Sequence, residues 1–289
     1  MQEFAGKVAL ITGAANGIGK ALATRCAQEK MSVVLADIDE EALQNICAEL
    51  ESEGATVLAV PTDVSQAAAV ESLAKKTWSA FGGVHLLCNN AGICANASRP
   101  IWKGTLADWS WSLGVNIWGL IHGIRTFVPL MLEQEAESHI VNTASASGLI
   151  CVPQFGIYQT TKHAVVAISE TLYHELTLMQ APVKVSVLCP GAVKTEFLDG
   201  EHRHRPQDLQ NTTDEIENNP INPQFDQILR QGVENGMEAT AVAEHMFEAL
   251  KTNQFYIFTH PELQFAIQLR FDDILQARNP SNAVSAAQS

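Results

Sequence analysis

Seven short apolar runs are spread along the chain and alternate with segments of helical periodicity. The runs read KVALIT, SVVLAD, TVLAV, VHLLCNN, HIVNTAS, VKVSVLCP and FYIFT. Because they are apolar on both faces, they are typical of parallel strands covered on both sides. After the second run, Leu43, Ile46 and Leu50 lie on one stripe that ends at Gly54, which predicts a helix with a C-terminal glycine. The alternation predicts an α/β fold with a doubly wound, mostly seven-stranded parallel sheet and helices on both faces.

Two segments break this alternation. The first, residues 197–236, is polar and contains EHRHRP and ENNPINPQ. A connection of that length between sheet elements is usually a lid or a mobile loop, and we expect a substrate lid here. The second, residues 279–289, is small and polar and predicts a flexible tail. At 289 residues the chain suits one large domain, which we place at residues 1–278.

Charge and cysteine content narrow the function classes. The chain has 32 acidic and 18 basic residues, and its net charge of -14 would repel a phosphate backbone, so we expect no nucleic-acid partner. Its six cysteines form no CxxC pair and no metal-ligand spacing with histidine. We therefore expect free thiols in a reducing compartment and no metal site.

Nothing in the sequence predicts a membrane protein. The amino terminus, MQEFAGKVALITG, lacks the basic and apolar regions of a secretory signal, so we expect a cytoplasmic location. The most apolar long segment, residues 115–132, predicts a buried helix rather than a membrane span, because polar residues and a proline interrupt it at Asn116, His122, Arg125 and Pro129.

A glycine-rich turn, TGAANGIG, directly follows the first predicted strand. Gly13, Gly17 and Gly19 would let backbone N–H groups approach a pyrophosphate at the start of the next helix. The spacing is G-x-x-x-G-x-G, which differs from the commoner dinucleotide fingerprint. A plain glycine-rich turn is the alternative, but the strand-then-helix context favours a dinucleotide site and a Rossmann-like domain.

An acid at the end of the second predicted strand indicates which dinucleotide would bind. Asp37 can accept hydrogen bonds from the adenosine ribose hydroxyls and would repel a 2'-phosphate. Neither Asn16 nor Ile38 supplies the cation that such a phosphate needs, so NAD is favoured over NADP. The alternative for Asp37 is an acid that caps a helix or lies solvated in a loop.

The pentapeptide YQTTK places Tyr158 and Lys162 about one helical turn apart on one face. A fixed cation beside a phenol stabilises the phenolate and lowers its pKa from the usual value of about 10. The pair could therefore exchange a proton with a substrate, although the same spacing also occurs by chance on solvated helices.

Together these motifs resemble the short-chain dehydrogenase/reductase family, from about Lys7 to Thr195. TGAANGIG is similar to its cofactor turn, NNAG to the motif after its fourth strand, and YQTTK to its YxxxK signature. TDVS, GVNIWG, TASAS and PGAVKT also fall in place. The cofactor-binding positions that the resemblance implies are Gly13, Asn16, Gly17, Ile18, Gly19, Asp37, Ile38, Asp63, Val64, Asn90, Ala91, Gly92, Tyr158, Lys162, Pro190, Gly191, Val193 and Thr195.

The resemblance also implies a reaction: hydride transfer between a secondary alcohol or ketone and the nicotinamide. Tyr158 would act as acid and base, and Lys162 would lower its pKa and hold the nicotinamide ribose. Ser145 would bind the reacting oxygen, with Ser147 as the less favoured choice because the usual separation from the tyrosine is 13 residues. Asn116 would hold a water that links Lys162 to solvent. Taken singly, Asn116 and Ser145 would more often make only local hydrogen bonds.

The substrate is expected to be hydrophobic or aromatic, because the residues beside the motifs are mostly apolar. They are Cys94, Val152, Phe155, Ala192, Phe197 and Leu198. Cys94 and Phe155 could equally be core residues. The cluster from His202 to Arg205 could contact an acidic substrate, but a solvated charge run is the more usual interpretation.

Alternatives remain for cofactor use and function. The fold could belong to a non-catalytic NAD-binding regulatory protein, although binding alone needs no proton-transferring phenol, or to an NADP-dependent carbonyl reductase. Helices over residues 109–132 and 158–178 carry more apolar residues than one sheet face needs, which predicts a homodimer or homotetramer.

Overall fold

All seven predicted strands are present and form one parallel sheet. A computed structural model describes residues 1–199 and 204–282. The strands of this sheet are β1 (Val8–Thr12), β2 (Ser32–Asp37), β3 (Val57–Pro61), β4 (Leu86–Asn89), β5 (Ser138–Thr143), β6 (Val183–Cys189) and β9 (Tyr256–Phe258); two further strands, β7 (Val193–Lys194) and β8 (Met237–Glu238), lie outside it. The order across the sheet is β3-β2-β1-β4-β5-β6-β9. Every neighbouring pair is parallel, which confirms the predicted doubly wound, Rossmann-like α/β fold.

Helices cover both faces of the sheet. On one face, Leu22, Leu43 and Phe247 belong to a buried cluster with β1 and β2. On the other face, Leu73 and Phe127 are buried with β3 and β6. The helices are α1 (Gly17–Gln28), α2 (Glu40–Ser52), α3 (Ala67–Phe81), α4 (Leu106–Leu113), α5 (Gly119–Glu133), α6 (Gly156–Leu178), α7 (Thr213–Glu217), α8 (Pro223–Glu234), α9 (Ala239–Thr252) and α10 (Gln264–Leu275). The sheet is therefore enclosed, as its apolar strands require.

The predicted helix after the second strand is confirmed in detail. In α2, Leu43, Ile46 and Leu50 are buried, and the helix ends two residues before Gly54. Gly54 has φ of +87°, a left-handed conformation that glycine adopts without the steric penalty of a side chain.

The long apolar segment is a helix that is broken in the middle. A π-helical turn, Gly114–Trp118, joins α4 to α5. By length and composition alone, the run Leu106–Glu133 could cross a membrane, and 39% of its most apolar window is buried. The composition of this run alone therefore does not exclude a membrane span, contrary to the sequence-based expectation. Phe127 and Met131 nevertheless pack against the sheet, as in the core helix of a globular fold.

A second, two-stranded parallel sheet was not predicted. Its strands are β7 (Val193–Lys194) and β8 (Met237–Glu238). They lie at either end of the polar segment, so both ends of that segment are fixed near the carboxyl end of β6. Within its described part, this segment contains α7 and α8.

Candidate active site

The carboxyl ends of the strands surround a cavity of about 940 Å³. It opens where the strand order reverses between β1 and β4, which is where open α/β sheets bind ligands. All predicted cofactor-binding and substrate residues line this cavity except Cys94, and all predicted catalytic residues do so except Asn116. The topology thus brings together motifs that are far apart in sequence, from Gly13 in the glycine turn to Thr195 after β6.

The glycine turn is packed tightly against its neighbours. Gly13 and Gly17 have φ of +66° and +52°, in the left-handed region that favours glycine. A Cβ atom on Gly13 would lie 2.9 Å from the Cα of Ala91, and one on Gly19 would overlap the carbonyl oxygen of Gly13. Asn16, the N-cap of α1, makes no side-chain hydrogen bond to the helix. The amino end of α1 therefore keeps backbone donors for an anionic ligand.

The Asp37 carboxylate is held by the backbone on both sides. Its Oδ2 accepts a hydrogen bond from the Ala15 amide at 2.9 Å, and its Oδ1 accepts one from the Asp39 amide at 3.0 Å. The cap of α2 is Asp39, which accepts from the Ala42 amide, so the alternative of Asp37 as the helix cap is wrong. The carboxylate is instead fixed at the edge of the cavity, beside Ile38.

A hydroxyl that the sequence analysis did not select joins the glycine turn to β4. The Oγ1 of Thr12 accepts hydrogen bonds from the amides of Asn90 and Ala91 at 3.0 and 3.1 Å. The Asn90 side chain in turn donates to the Thr12 carbonyl at 3.0 Å and accepts from Thr143 at 3.2 Å. Three strand ends are thus fixed to one another beneath the cavity.

Tyr158 and Lys162 lie together on the buried face of α6. The Nζ of Lys162 is 5.6 Å from the centroid of the Tyr158 ring and donates to the Thr143 carbonyl at 2.8 Å. The Oγ of Ser145 donates to the Pro190 carbonyl at 3.3 Å, and Ser145 lines the same cavity as Tyr158. The Ser147 amide donates to the Oγ of Ser145 at 3.1 Å, so this contact positions Ser145, the serine that the spacing predicted.

Without a bound cofactor, burial shifts the pKa values of both Tyr158 and Lys162. Loss of solvent raises the pKa of the Tyr158 phenol, and the nearby Ser145 hydroxyl opposes that rise. Loss of solvent also lowers the pKa of Lys162 to about 8. The expected lowering of the Tyr158 pKa by Lys162 therefore stays a prediction for the complex with oxidised nicotinamide, which adds a second positive charge.

Asn116 lies in the π-helical turn, a feature that is frequent at functional sites. Its Oδ1 accepts from the Ile93 amide at 2.8 Å, and its Nδ2 donates to the Ile93 carbonyl at 2.9 Å and to Thr161 at 3.0 Å. The side chain thus holds the loop after β4 against α6. The water that Asn116 was expected to bind stays a prediction.

An aromatic cluster borders the substrate side of the cavity. The ring centroid of Tyr158 lies 4.8 Å from that of Phe155 and 5.5 Å from that of Phe197. Phe225 and Leu229, which the sequence analysis did not select, pack on the same cluster from α8. Cys94 is buried in this cluster and does not line the cavity, so the core interpretation of Cys94 is correct, whereas Phe155 faces the cavity.

Two further residues were missed or misread. The Nδ1 of His260 accepts a hydrogen bond from the Gly191 amide at 3.1 Å and so supports the loop after β6.

Arg205 was interpreted as part of a solvated charge run, but it is buried against Asp108, so that interpretation is wrong. His204 lies 3.5 Å from the Asp39 carboxylate. His202 and Arg203 lie outside the described residues.

Comparison with known proteins decides the family. A family model described as short chain dehydrogenase matches residues 7–206. The chain belongs to the short-chain dehydrogenase family. It is 33% identical over 275 residues to a CLA biosynthesis dehydrogenase/reductase of Lactiplantibacillus plantarum, which covers 95% of each chain. It is 32% identical over 268 residues to 1-deoxy-11-beta-hydroxypentalenate dehydrogenase of Streptomyces exfoliatus, covering 93% of this chain and 88% of the relative.

A solved structure agrees with this assignment. A short-chain dehydrogenase/reductase from Burkholderia phymatum, solved in complex with NAD, superimposes with a TM-score of 0.91 at 45% identity and covers 97% of this chain and 98% of its own. This chain is accordingly an oxidoreductase, and it shares its fold with a protein that binds a nicotinamide cofactor. The cavity residues fit such a group, because the glycine turn, the uncapped amino end of α1 and the fixed Asp37 all border it.

Proposed function

We propose that the protein is an NAD-dependent oxidoreductase that interconverts a secondary alcohol and a ketone, with Tyr158 as the acid and base. The observation that carries this proposal is that Tyr158, Ser145 and Lys162 all line the cavity at the reversal of strand order, with the Lys162 Nζ 5.6 Å from the centroid of the Tyr158 ring. Cofactor binding alone needs no proton-transferring phenol beside a hydroxyl and an amine. The catalytic hypothesis is therefore favoured over the non-catalytic one.

The preference for NAD rests on Asp37. Its carboxylate is fixed by two backbone amides. It would therefore stay close to the 2'-phosphate of NADP and repel it, because both groups are negatively charged. Ribose hydroxyls can instead donate to its remaining lone pairs. Bound at the glycine turn, the dinucleotide would supply the hydride acceptor or donor.

The protein's own residues would manage the proton. Ser145 would donate to the reacting oxygen and fix its position next to Tyr158. Tyr158 would take the hydroxyl proton during oxidation and return it during reduction. Lys162, whose pKa is lowered to about 8 by burial, would stabilise the phenolate when protonated and hold the nicotinamide ribose.

The substrate would be apolar and of the size of an aromatic or alicyclic alcohol. The substrate side of the cavity is bordered by Phe155, Phe197, Phe225 and Leu229, and apolar side chains with a few polar groups are typical of sites for such ligands. The polar segment 197–236 would serve as the lid, since several of its residues line the cavity.

The test is the initial rate of cofactor reduction with a panel of aliphatic, aromatic and polyol secondary alcohols, using NAD and NADP in parallel. We expect turnover of aromatic or alicyclic alcohols with NAD and little turnover of polyols. Asp37→Ala should reduce the preference for NAD, whereas Glu41→Ala, an exposed acid of α2, should leave it unchanged. If no alcohol of the panel is turned over although the cofactor binds, the non-catalytic alternative would be favoured.

A homodimer or homotetramer is part of the same proposal. Large apolar side chains remain exposed on the helical run 106–133 and on α6, with exposures of 85% for Leu106, 52% for Trp118 and 84% for Leu178. Such side chains are typical of subunit interfaces. Light scattering at micromolar concentration should give a multiple of 31.4 kDa, and a monomer mass would contradict the proposal.

A further inference from the structure

A buried ion pair fastens the start of the polar segment to α4. The Nη1 of Arg205 lies 2.8 Å from the Oδ1 of Asp108, and the two side chains are only 3% and 1% exposed. Buried charges of this kind need partners for all their polar atoms, since the loss of solvent is otherwise not compensated.

The remaining polar atoms of the pair are satisfied by a closed network. Arg205 donates through Nε to the Leu209 carbonyl at 2.6 Å and through Nη2 to the Asn211 Oδ1 at 3.0 Å. Asn211 donates to Asp108 at 2.9 Å. The other carboxylate oxygen of Asp108 accepts from the Thr105 amide at 3.0 Å in the capping box of α4. Asp108 is thus fixed by its own helix before Arg205 reaches it.

The network lies directly behind the wall of the cavity. The Arg205 guanidinium lies 5.4 Å from the centre of the Trp111 ring. Trp111, Pro206 and Leu209 all line the cavity that also contains Asp37 and Tyr158. Movement of Arg205 away from Asp108 would therefore displace residues that line this cavity.

We propose that Asp108 and Arg205 are positioning residues that hold residues 204–211 closed over the cofactor and substrate cavity. Opening separates the pair and lets water reach both charges. If either partner loses its charge, the other is left buried and uncompensated in the closed form, so the segment opens more often while the sheet stays folded. The expected effect on substrate binding rests on the function proposed above; the effect on the segment itself does not.

The test compares hydrogen exchange in full-length Asp108→Asn and Arg205→Met with that in the wild type, without ligand. We expect exchange in residues 204–211 to accelerate at least tenfold, with no change in β5. The matched control is Arg230→Met, which removes an exposed pair with Asp199 and Asp226 in the same segment. We expect this control to change exchange less than twofold.

A second readout uses the cofactor and substrate. Release of NADH by stopped-flow fluorescence should be at least fivefold faster in both variants, and KM for the alcohol should rise more than kcat falls. Arg205→Lys, which keeps the charge but cannot make all three hydrogen bonds, should lie between the wild type and Arg205→Met.

Two results would overturn the proposal. One is unchanged exchange in residues 204–211 for both variants. The other is faster exchange throughout, β5 included, in both variants together with unchanged local exchange in Arg205→Lys, since the pair would then support the whole fold rather than this segment. If no alcohol is turned over but exchange behaves as expected, only the proposed function fails.

Discussion

The two walls of the cavity are built in different ways. The wall predicted to hold the cofactor consists of strand ends, the glycine turn and α6, which buries ten residues including Tyr158 and Lys162. The wall predicted to hold the substrate includes α8, in which no residue is fully buried. Its segment is held by side-chain bonds to the loop before α4, such as those from Asn219 to Asn96 and from Arg99 to Asn219.

This difference separates chemistry from specificity. The cofactor wall cannot move without disturbing the sheet, which suits groups that must keep an exact geometry during hydride and proton transfer. Because α8 buries no residue fully, we expect the substrate wall to open or accept substitutions while the sheet stays intact. Substitutions in the two walls should therefore have different consequences.

The largest effect is expected for Lys162 in the cofactor wall. Lys162→Met should lower kcat by about 10² to 10⁴-fold, the usual range for lost acid–base assistance. Because burial lowers the pKa of Lys162 to about 8, its charge opposes folding at pH 7, by on the order of 3 kcal/mol. This opposition is greatest below pH 8 and disappears as pH rises towards the pKa of the unfolded chain. The variant should therefore melt no lower than the wild type at pH 7.

The control for this substitution is Lys194→Met, which removes an exposed pair with Glu238. It should leave both kcat and melting temperature nearly unchanged. A large loss of thermal stability in Lys162→Met, with kcat falling only in proportion to the unfolded fraction, would mean that the amine is structural.

Gly19→Ala tests the packing of the glycine turn. Its Cβ atom would overlap the Gly13 carbonyl oxygen, so we expect a destabilisation of about 1 to 3 kcal/mol and a clear loss of cofactor affinity. Gly232→Ala is the matched helical control in the other wall, because nothing lies within 4 Å of its Cβ position. Isothermal titration and thermal unfolding would measure both effects, and equal behaviour of the two variants would remove the distinction between the walls.

A smaller and more selective effect is expected for the substrate wall. Phe225→Ala removes an aromatic ring from the cluster around Tyr158 and should raise KM for aromatic alcohols roughly tenfold, with cofactor affinity preserved. Phe271→Ala, an exposed phenylalanine of α10, should change neither quantity. If Phe225→Ala instead weakened cofactor binding while leaving KM unaltered, α8 would belong to the cofactor site.

The smallest effect at pH 7 concerns the sheet beneath both walls. Burial lowers the pKa of His139 to about 3, and no described residue makes a hydrogen bond to its Nδ1. The unfolded chain therefore binds a proton that the folded one does not between about pH 6.5 and 3, and stability should fall with acid by up to about 1.4 kcal/mol per pH unit.

Denaturant unfolding from pH 7 to pH 4 would measure this slope. His139→Gln removes the titrating ring and should give a shallower slope, whereas His174→Gln, at an exposed histidine, should not. Equal slopes in the wild type and His139→Gln would contradict the assignment.

The residues that line the cofactor wall could be predicted because each motif that contains them is local in sequence. Each motif combines a strand end with the turn that follows it, so Gly13, Asp37 and Asn90 could be placed before any tertiary contact was known. Parallel pairing then brings these ends to one edge of the sheet. The helix Glu40–Ser52 was predicted for the same reason, since its stripe and terminal glycine lie within one element.

The substrate wall could not be predicted, because its contacts join residues far apart in sequence. Arg205 meets Asp108, and Asn219 meets Asn96; no local pattern distinguishes these polar residues from solvated ones. Thr12 was missed although it begins the glycine turn, since only the structure shows its hydroxyl accepting from the Asn90 amide just after β4. Phe225 and Leu229 show helical spacing, but nothing in that spacing indicates a cavity rather than the core.

The most direct test of the central claim is single-turnover hydride transfer in Tyr158→Phe, with NADH and the best ketone of the panel. The matched control is Tyr173→Phe, at a tyrosine on the exposed side of the same helix. We predict that Tyr158→Phe binds NADH with wild-type affinity and transfers hydride at least 10²-fold more slowly, while Tyr173→Phe behaves as the wild type. Hydride transfer at the wild-type rate in Tyr158→Phe would contradict the role of the phenol as the acid and base.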